Sequence, residues 1–521
     1  RLDLTGTPEP RDYCVQYGET DLDFVQRLLE EEGIFYSFVF SEDKHELVLS
    51  DDPMALDTPG GFGELRFEPN FVPDQDGLGV ITKLTRTEKI VSGSHTLTDY
   101  NFETPSTDLI ARSENLMGHE NDGMERYTYP GRHGTQGLGE KLAGFRNRQD
   151  QALAQQIWAE SSAAMFCAGC AFSLVDYPRD EENIDYMILA VDYDIWDGQY
   201  SSRATRNRPE GIFTSYRMVP QESGYCPPQI TPKPVMKGPQ TAIVVGPAGE
   251  EIYTDEYARV KVQFYWDREG GHDENSTCFI RVSSVWAGSG WGFIQIPRIG
   301  QEVIVDFLDG DPDRPIITGR VYNAEQMPPY ALPGNMTQSG WKSNSSKGGG
   351  GWNELRFEDL KGSEEVYFQA EKDHTEWIKN NETRNIDNDF AETVGHDAKQ
   401  DVINNRDETV GNNKTTQVGV NRDVTIGNND TESVGNNRSL TVGVNEVISV
   451  GSNSDETIGA NHSQTVGISQ TITVGAMRVD TVGAAETRTV GAAQVNTIGA
   501  VRQMTVGASQ SHDIGLTDSW T

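Results

Sequence analysis

Along the last third of the chain one apolar position recurs with a fixed period of eight. Val or Ile stands at 378, 386, 394, 402, 410, 418, 426, 434, 442, 450, 458, 466, 474, 482, 490, 498, 506 and 514, without a slip. Gly follows at 395 and then at every octad from Gly411 to Gly515, and the residue before the Val is nearly always Thr or Ser. Eight fits neither 3.5 nor 3.6 residues per turn, so the period is not helical. Thr, Val and Ile suit a pleated surface, whereas recurrent Gly and Asn break helices. The pattern predicts short strands joined by bends, with glycine at each corner to take up positive φ. Pro is absent after Pro333, as a continuous ladder requires.

The structural residues of this repeat are Val410 with Gly411, Val418 with Gly419, Ile426 with Gly427, Val434 with Gly435, Val442 with Gly443, Val450 with Gly451 and Ile458 with Gly459. They continue as Val466 with Gly467, Val474 with Gly475, Val482 with Gly483, Val490 with Gly491, Ile498 with Gly499, Val506 with Gly507 and Ile514 with Gly515. A disordered Asn/Gly/Ser/Thr tail has no reason to hold a hydrophobe in phase eighteen times. A β-solenoid or β-prism does. One Val per octad is thin apolar supply for a single-chain coil. Winding several identical chains about one axis pools those side chains and leaves no long free edge. The calcium-binding nonapeptide solenoid is excluded, since it needs period nine and a G-G-x-G-x-D pattern.

Upstream the periods change. "RVKVQF" (259–264) alternates, placing Val260, Val262 and Phe264 on one face, and "EVIVDF" (302–307) does the same with Val303, Val305 and Phe307. Turn signals surround them, and five or six short strands within 238–323 predict a small barrel of the OB type. Trp266, Trp286 and Trp291 are candidate stacking faces, but few basic residues accompany them, so packing is the expected role. "LDGDPDRP" (308–315) lacks calcium-loop spacing and reads as a rigid turn. Residues 324–375 begin as a flexible Gly/Ser stretch and become strand-like; the glycines at 348–351 lack the Lys-Ser/Thr of a phosphate loop.

Residues 1–230 mix helix and strand. "TDLDFVQRLLEEEG" (20–33) predicts a helix capped by Thr20 with Asp23 three residues on, an apolar stripe of Phe24, Val25, Leu28 and Leu29, and a stop at Gly33. "GIFYSFVF" and "HELVLSD" predict a hairpin, and a second helix is expected over much of 140–164. Cys167 and Cys170 in "FCAGC" have the spacing of half a zinc site or a redox pair; with no second pair in sight, buried thiols are the expectation.

Charge and cysteine usage narrow the function. The net charge is −37, of which residues 376–521, with 19 Asp/Glu against 10 Lys/Arg, carry −9. An acidic surface repels phosphate backbones, which argues against nucleic acid as a partner. No apolar run is long enough to span a bilayer. The five cysteines, none after Cys278, do not suit a disulfide-built secreted domain. The first residue is Arg1, with no apolar signal core behind it, so synthesis in the cytoplasm and a chain trimmed at its start are expected.

The order of these parts resembles the VgrG family, the valine-glycine-repeat spikes of the bacterial type VI secretion system. The resemblance is carried by "YCVQYGETDLDFVQRLLEEEGIFYSF" (13–38), "VMKGPQTAIVVGPAGEEIYTDEYARVKVQFYWDR" (235–268), "IRVSSVWAGSGWGFIQIPRIGQEVIVDFLDGDPDRPIITGRVYNAEQ" (280–326), "NELRFEDLKGSE" (353–364) and the octads. It implies a mainly β protein with some α: a phage-hub-like domain over 1–230, incomplete at its N-terminus, an OB-fold domain over 238–325, a connector over 326–375 and an intertwined triple-stranded β-helix needle over 376–516. The resemblance also implies a homotrimer in which Val points to the axis. As in the central spike of contractile phage tails, it would puncture cells from the tip of an Hcp tube, with a PAAR-repeat protein at its point. Baseplate proteins and effectors or their adaptors are the other implied partners, and the target membrane would be crossed mechanically. The protein would leave through the type VI apparatus for the extracellular space or a target cell. Past the last octad only "LTDSWT" remains, so no toxin domain and no catalysis are expected. Neither a cofactor nor a metal is implied, and His512 lacks the partner an H-x-H iron site would need.

Three rivals remain on sequence: the spike of a phage tail or phage-derived bacteriocin, a β-solenoid glycosidase or lyase, and a carbohydrate-binding OB module. With no aromatic between Phe390 and Trp520, a sugar-stacking groove along the octads is disfavoured. Position −2 from each Val is chemically mixed, as in Glu432, Leu440, Ile448, Glu456 and Arg488, and its facing is left open.

Overall fold

The computed structural model describes all residues except 57, 59–62, 72–78, 197–210, 516 and 518–521, so the last residue of the expected needle and Trp520 lie outside the described residues. Two units are distinguished, Arg1–Asn385 and Ile386–Thr521.

The first unit opens with strand β1 (Leu2–Asp3), helix α1 (Asp21–Glu31) and the hairpin β2 (Phe35–Phe40) and β3 (His45–Ser50), which with β1 makes a three-stranded sheet. The Thr20 hydroxyl oxygen accepts from the Asp23 N–H at 3.1 Å, and Gly33 at φ +70° ends the turn. The helix does not bury the apolar stripe its pattern predicts. Val25 is exposed and Phe24, Leu28 and Leu29 are half-buried, while Arg27, Glu30 and Glu31 point inward. Buried charges survive only when paired, and each of these is. Arg27 Nη2 donates to Glu19 Oε1 at 2.7 Å and to the Val15 carbonyl at 2.9 Å. Glu30 accepts from the Ile230 and Thr231 backbone N–H groups, both at 3.0 Å.

Strands β4 (Glu64–Arg66) and β5 (Ile81–Glu88) are the edges of a six-stranded sheet. Between them and its middle the chain makes a separate three-stranded sheet of β6 (Ser94–Leu97), β7 (Ala111–Glu114) and β8 (Glu125–Thr128), then helix α2 (Gln136–Ala154). The expected helix over 140–164 thus starts earlier and stops ten residues sooner. From Gln155 the period becomes two: Ile157, Ala159 and Ser161 are buried, and Trp158 and Glu160 are exposed. That alternation makes β9 (Gln155–Ser161). With β10 (Ala171–Val175), β11 (Asp185–Trp196) and β12 (Gly211–Pro220) it completes the large sheet, whose order is β4-β10-β11-β12-β9-β5. Its core holds Ile81, Ile157, Phe166, Phe172, Tyr186, Ile188, Tyr216 and Met218.

A five-stranded sheet comes next, β13 (Gln240–Val245), β14 (Lys261–Phe264), β15 (Arg281–Val282), β16 (Glu302–Phe307) and β17 (Pro315–Val321), in the order β14-β13-β16-β17-β15. Val260, Val262, Phe264, Val303, Val305 and Phe307 are all buried in one core, on the faces their alternation predicts. A partly buried ionic network joins this sheet to the front of the chain, with Asp311 and Glu31 inside and Arg11 and Arg132 at its exposed rim. Glu31 meets Arg11 at 2.7 Å and Arg132 at 3.0 Å, Arg132 meets Asp311 at 3.2 Å, and Lys233 bridges Asp311 at 2.8 Å and Asp313 at 2.7 Å.

The connector becomes strand-like as expected, in a three-stranded antiparallel sheet of β18 (Gln338–Lys342), β19 (Glu354–Glu358) and β20 (Glu365–Gln369), but its Gly/Ser stretch is tied down rather than flexible. Its glycines form the turn between β18 and β19. Ser345 N–H donates to the Gly351 carbonyl at 2.8 Å and Gly348 N–H to Glu251 Oε1 at 2.6 Å. Gly348 and Gly350 take φ +61° and +69°, which side-chain-bearing residues resist. Among the described residues no helix is long and apolar enough to cross a membrane.

Candidate functional site

The octad repeat begins at Ile378, near the end of the first unit, and runs through the second. Its eighteen in-phase Val and Ile residues, from Ile378 to Ile514, are each 42–52 % exposed within their own chain, a single environment repeated. The chain bends at the residue after each of them and the next one, from Lys379–Asn380 through Gly507–Ala508. Among the described residues after Gln369 there is no helix and no strand paired within the chain.

One expectation about the bends is overturned. No glycine from Gly395 to Gly515 has φ in the left-handed region, and a Cβ added there would meet nothing of its own chain within 4 Å. Bends also occur at Asp387–Asn388 and Ile403–Asn404, where no glycine stands. The corner therefore does not need glycine for its φ; the backbone turns without leaving the conformations open to every residue.

Side-chain pairs settle the facing of position −2 within the chain. Arg406 reaches Glu408 at 3.8 Å and Arg478 reaches Asp480 at 3.0 Å, two residues apart. Glu408 meets Lys414 at 2.6 Å, Glu432 meets Arg438 at 3.3 Å and Glu456 meets His462 at 3.6 Å, six residues apart across a bend. Gln464 and Gln470 repeat this at 3.1 Å. Every one of these residues lies two or four positions before an in-phase Val or Ile. In an extended chain, positions 0, −2 and −4 share one face. The mixed position −2 thus stands beside the Val, and its apolar members Val424, Leu440, Ile448, Ile472 and Met504 are 54–78 % exposed. The hydrogen bond from Lys414, then its charge, hold the Glu408 carboxyl below the usual carboxylate range. The sequence signal for this ladder was the opposite charge six residues on, which carries meaning only once the bend is known.

The other candidates lie elsewhere in the first unit and near the end of the octads. Trp266 packs against Phe264 with centroids 5.0 Å apart and Tyr17 at 5.3 Å, and its Nε1–H donates to Gln240 Oε1 at 2.7 Å. Trp286 and Trp291 are exposed and lie edge to face at 5.1 Å. In the 308–315 turn, Asp311 is held by Arg132 and Lys233, and Asp313 by Lys233 and the Val15 N–H. His512 contacts Gln510 at 2.7 Å. Cys167 and Cys170, expected to be buried, are half-buried and in contact.

Residues 1–199 match the family described as phage tail baseplate hub (GPD). Residues 244–322 match the type VI secretion system/phage-baseplate injector OB domain. Residues 339–450 and 445–521 match the bacteriophage T4 gp5 C-terminal trimerisation domain. Among curated relatives, the type VI secretion system spike proteins VgrG1b and VgrG1a of Pseudomonas aeruginosa are each 43 % identical over 72 % of this chain. They are matched over 52 % and 58 % of their own lengths, so the chain spans little more than half of them. A solved structure, the E. coli c3393 protein, described as a type VI secretion component similar to T4 tail proteins gp27 and gp5, aligns at TM-score 0.41 and 17 % identity over 61 % of this chain and 65 % of its own. Hub, OB domain and trimerisation repeat succeed one another here in the order of a tail spike, and the chain belongs to the VgrG family of type VI secretion system spike proteins.

Proposed function

We propose that three copies of this chain intertwine through residues 376–516 into a needle, and that the needle punctures a neighbouring cell's envelope from the tip of an Hcp tube. The observation that carries this reading is the uniform half-exposure of eighteen in-phase Val and Ile residues. A face left half-open at every octad is complementary to copies of itself. The trimerisation family matched over 339–521 supports the number three. Backbone groups unpaired within the chain find partners on neighbouring chains, as the near-complete pairing of buried backbone groups demands. In the needle Val410 with Gly411, and each pair through Ile514 with Gly515, would set the axial layer. The glycine lets the next chain close in where its own chain leaves space.

Such a rod resists buckling because its strands have no separate fold to fall back on. Force from a contracting sheath, rather than an apolar exterior, would carry it through the membrane. A PAAR-repeat cap on the terminal strand edges, effectors or their adaptors, baseplate proteins, and export through the type VI apparatus complete the reading. The central spike of a phage tail is the second reading, favoured by the hub and trimerisation matches; the curated relatives favour the first.

Light scattering behind size exclusion tests the assembly. The expected mass is three times 57.6 kDa. A species of single-chain mass with an ordered octad region would defeat the needle.

A further inference from the structure

A second feature lies far from the octads in sequence, in the loop between β9 and β10. Cys167 and Cys170 occupy the first and last positions of a tight turn. The Cys170 N–H donates to the Cys167 carbonyl at 3.2 Å, and Gly169 at the third position takes φ +84°, as a type II turn requires. The turn is anchored to β11 through Gly169 N–H to the Ile188 carbonyl at 2.8 Å and Ile188 N–H to the Cys170 carbonyl at 2.9 Å. A Cβ on Gly169 would meet Ser37 Cβ at 2.2 Å, so the turn is held from outside as well. The two sulfurs stand 3.1 Å apart, both half-buried, with Ala168 exposed between them. Among the described residues no group of three or more His, Cys, Asp or Glu is placed to hold a metal, so the pair is not half of such a group.

We propose that Cys167 and Cys170 form a thiol–disulfide exchange site, with Cys167 the attacking sulfur, Cys170 the resolving sulfur and small disulfides such as glutathione disulfide the substrate. The ends of a β-turn lie within about 7 Å at their Cα atoms, inside the range a disulfide bridges. The hydrogen bond from Cys170 outweighs burial and brings the Cys167 thiol down to about 7. Cys226 and Cys278 are pushed up to about 11, mainly by burial, and burial raises Cys14 as well. Of these four thiols Cys167 is the one held low, and it is the one whose sulfur stands beside a second thiol.

The Cys167 thiolate attacks one sulfur of glutathione disulfide. The glutathione S–S bond breaks, one glutathione thiolate leaves and a mixed disulfide forms on Cys167. Cys170 then gives its proton to solvent, attacks the Cys167 sulfur and releases the second glutathione. The protein dithiol is oxidised by two electrons to a disulfide, and one glutathione disulfide is reduced to two thiols. The site does not depend on the spike reading.

The test uses the reduced full chain, incubated with glutathione disulfide, quenched in acid, unfolded, alkylated and weighed. The fully reduced chain takes five adducts. The expected product takes three, with the 167–170 peptide two hydrogens lighter, and C170S stops as a glutathione adduct at Cys167. Five adducts on the wild-type chain, or glutathione retained at Cys14 with 167 and 170 still reduced, overturns the proposal. A readout that needs no variant is the pH dependence of iodoacetamide labelling in the native chain. Cys167 is expected to label with a midpoint near 7 and, at pH 7, at least about threefold faster than Cys14, after the weaker nucleophilicity of a more acidic thiol is counted. A midpoint above 8 overturns it.

Discussion

Val303 and Val450 are the same residue in similar Val/Ile-rich surroundings, yet Val303 is wholly enclosed and Val450 is half open. The difference lies in where the covering atoms come from. Around Val303 the chain passes through one sheet five times, and Ala242, Val262, Phe264 and Ile317 close the core from other strands. Around Val450 no strand pairs within the chain among the described residues, and the same half-open environment recurs every eight residues. A strand sequence thus specifies the shape of a surface, and topology decides whether the chain itself or a copy of it supplies the other side.

The largest test of that contrast places a charge in each setting. Val442→Asp with Val450→Asp is expected to abolish the trimeric mass in light scattering while leaving the near-ultraviolet circular dichroism of the first unit intact. Val303→Asp is expected to melt the first unit, because a buried unpaired charge cannot be accommodated. A double variant that stays trimeric would break the comparison.

Acid comes next. Burial alone would push the Glu31 and Asp311 carboxyls up, but hydrogen bonds from Arg11 and Lys233, with the positive charges of Lys233 and Arg132, hold both below the usual range. Their contribution is therefore complete above the ordinary carboxylate value of about 4 and is lost as pH falls through the lower folded values. The first unit is expected to lose stability below about pH 4, where thermal melts by circular dichroism detect it. Asp311→Asn, which leaves Lys233 with Asp313 and Arg132 with Glu31, is expected to cost about 1.5–3 kcal/mol in urea unfolding at neutral pH and to flatten the acid dependence. An unchanged acid slope in this variant would assign the effect elsewhere.

The finest comparison is within one octad. Val450→Ala is expected to lower the melting temperature of the assembled repeat, and more so on dilution, because assembly is a mass-action equilibrium. Val447→Ala, at the exposed position −3, is expected to change stability by less than about 0.5 kcal/mol. Equal effects at the two sites would erase the assigned facing.

Periodicity made much of this legible. The octads, the two alternating barrel strands and the Thr20 cap are visible in sequence because each obeys a local rule. The features that escaped had non-local causes. Helix α1 turned its charges inward because Arg11, Glu19, Arg132 and the backbone of 230–231 wait for them, and nothing in residues 20–33 announces those partners. Helix α2 ended early because Gln155–Ser161 is claimed by β5 and β12. The 348–351 glycines looked like slack until the hairpin around them supplied hydrogen-bond partners. Cys167 and Cys170 were legible as a spacing, but their contact and exposure depend on the anchorage to Ile188 and Ser37.

The unslipping bend has a consequence for how such a chain can vary. The octad acts as a reading frame written in side-chain direction. Removing eight residues leaves every later Val in register with its predecessors, so length can change in whole units without disturbing the remaining octads. Removing one residue turns every subsequent Val to the opposite face until a second change restores the count. A single-residue deletion near Val410 therefore touches more than a hundred residues at once, while the loss of a whole octad touches only its own.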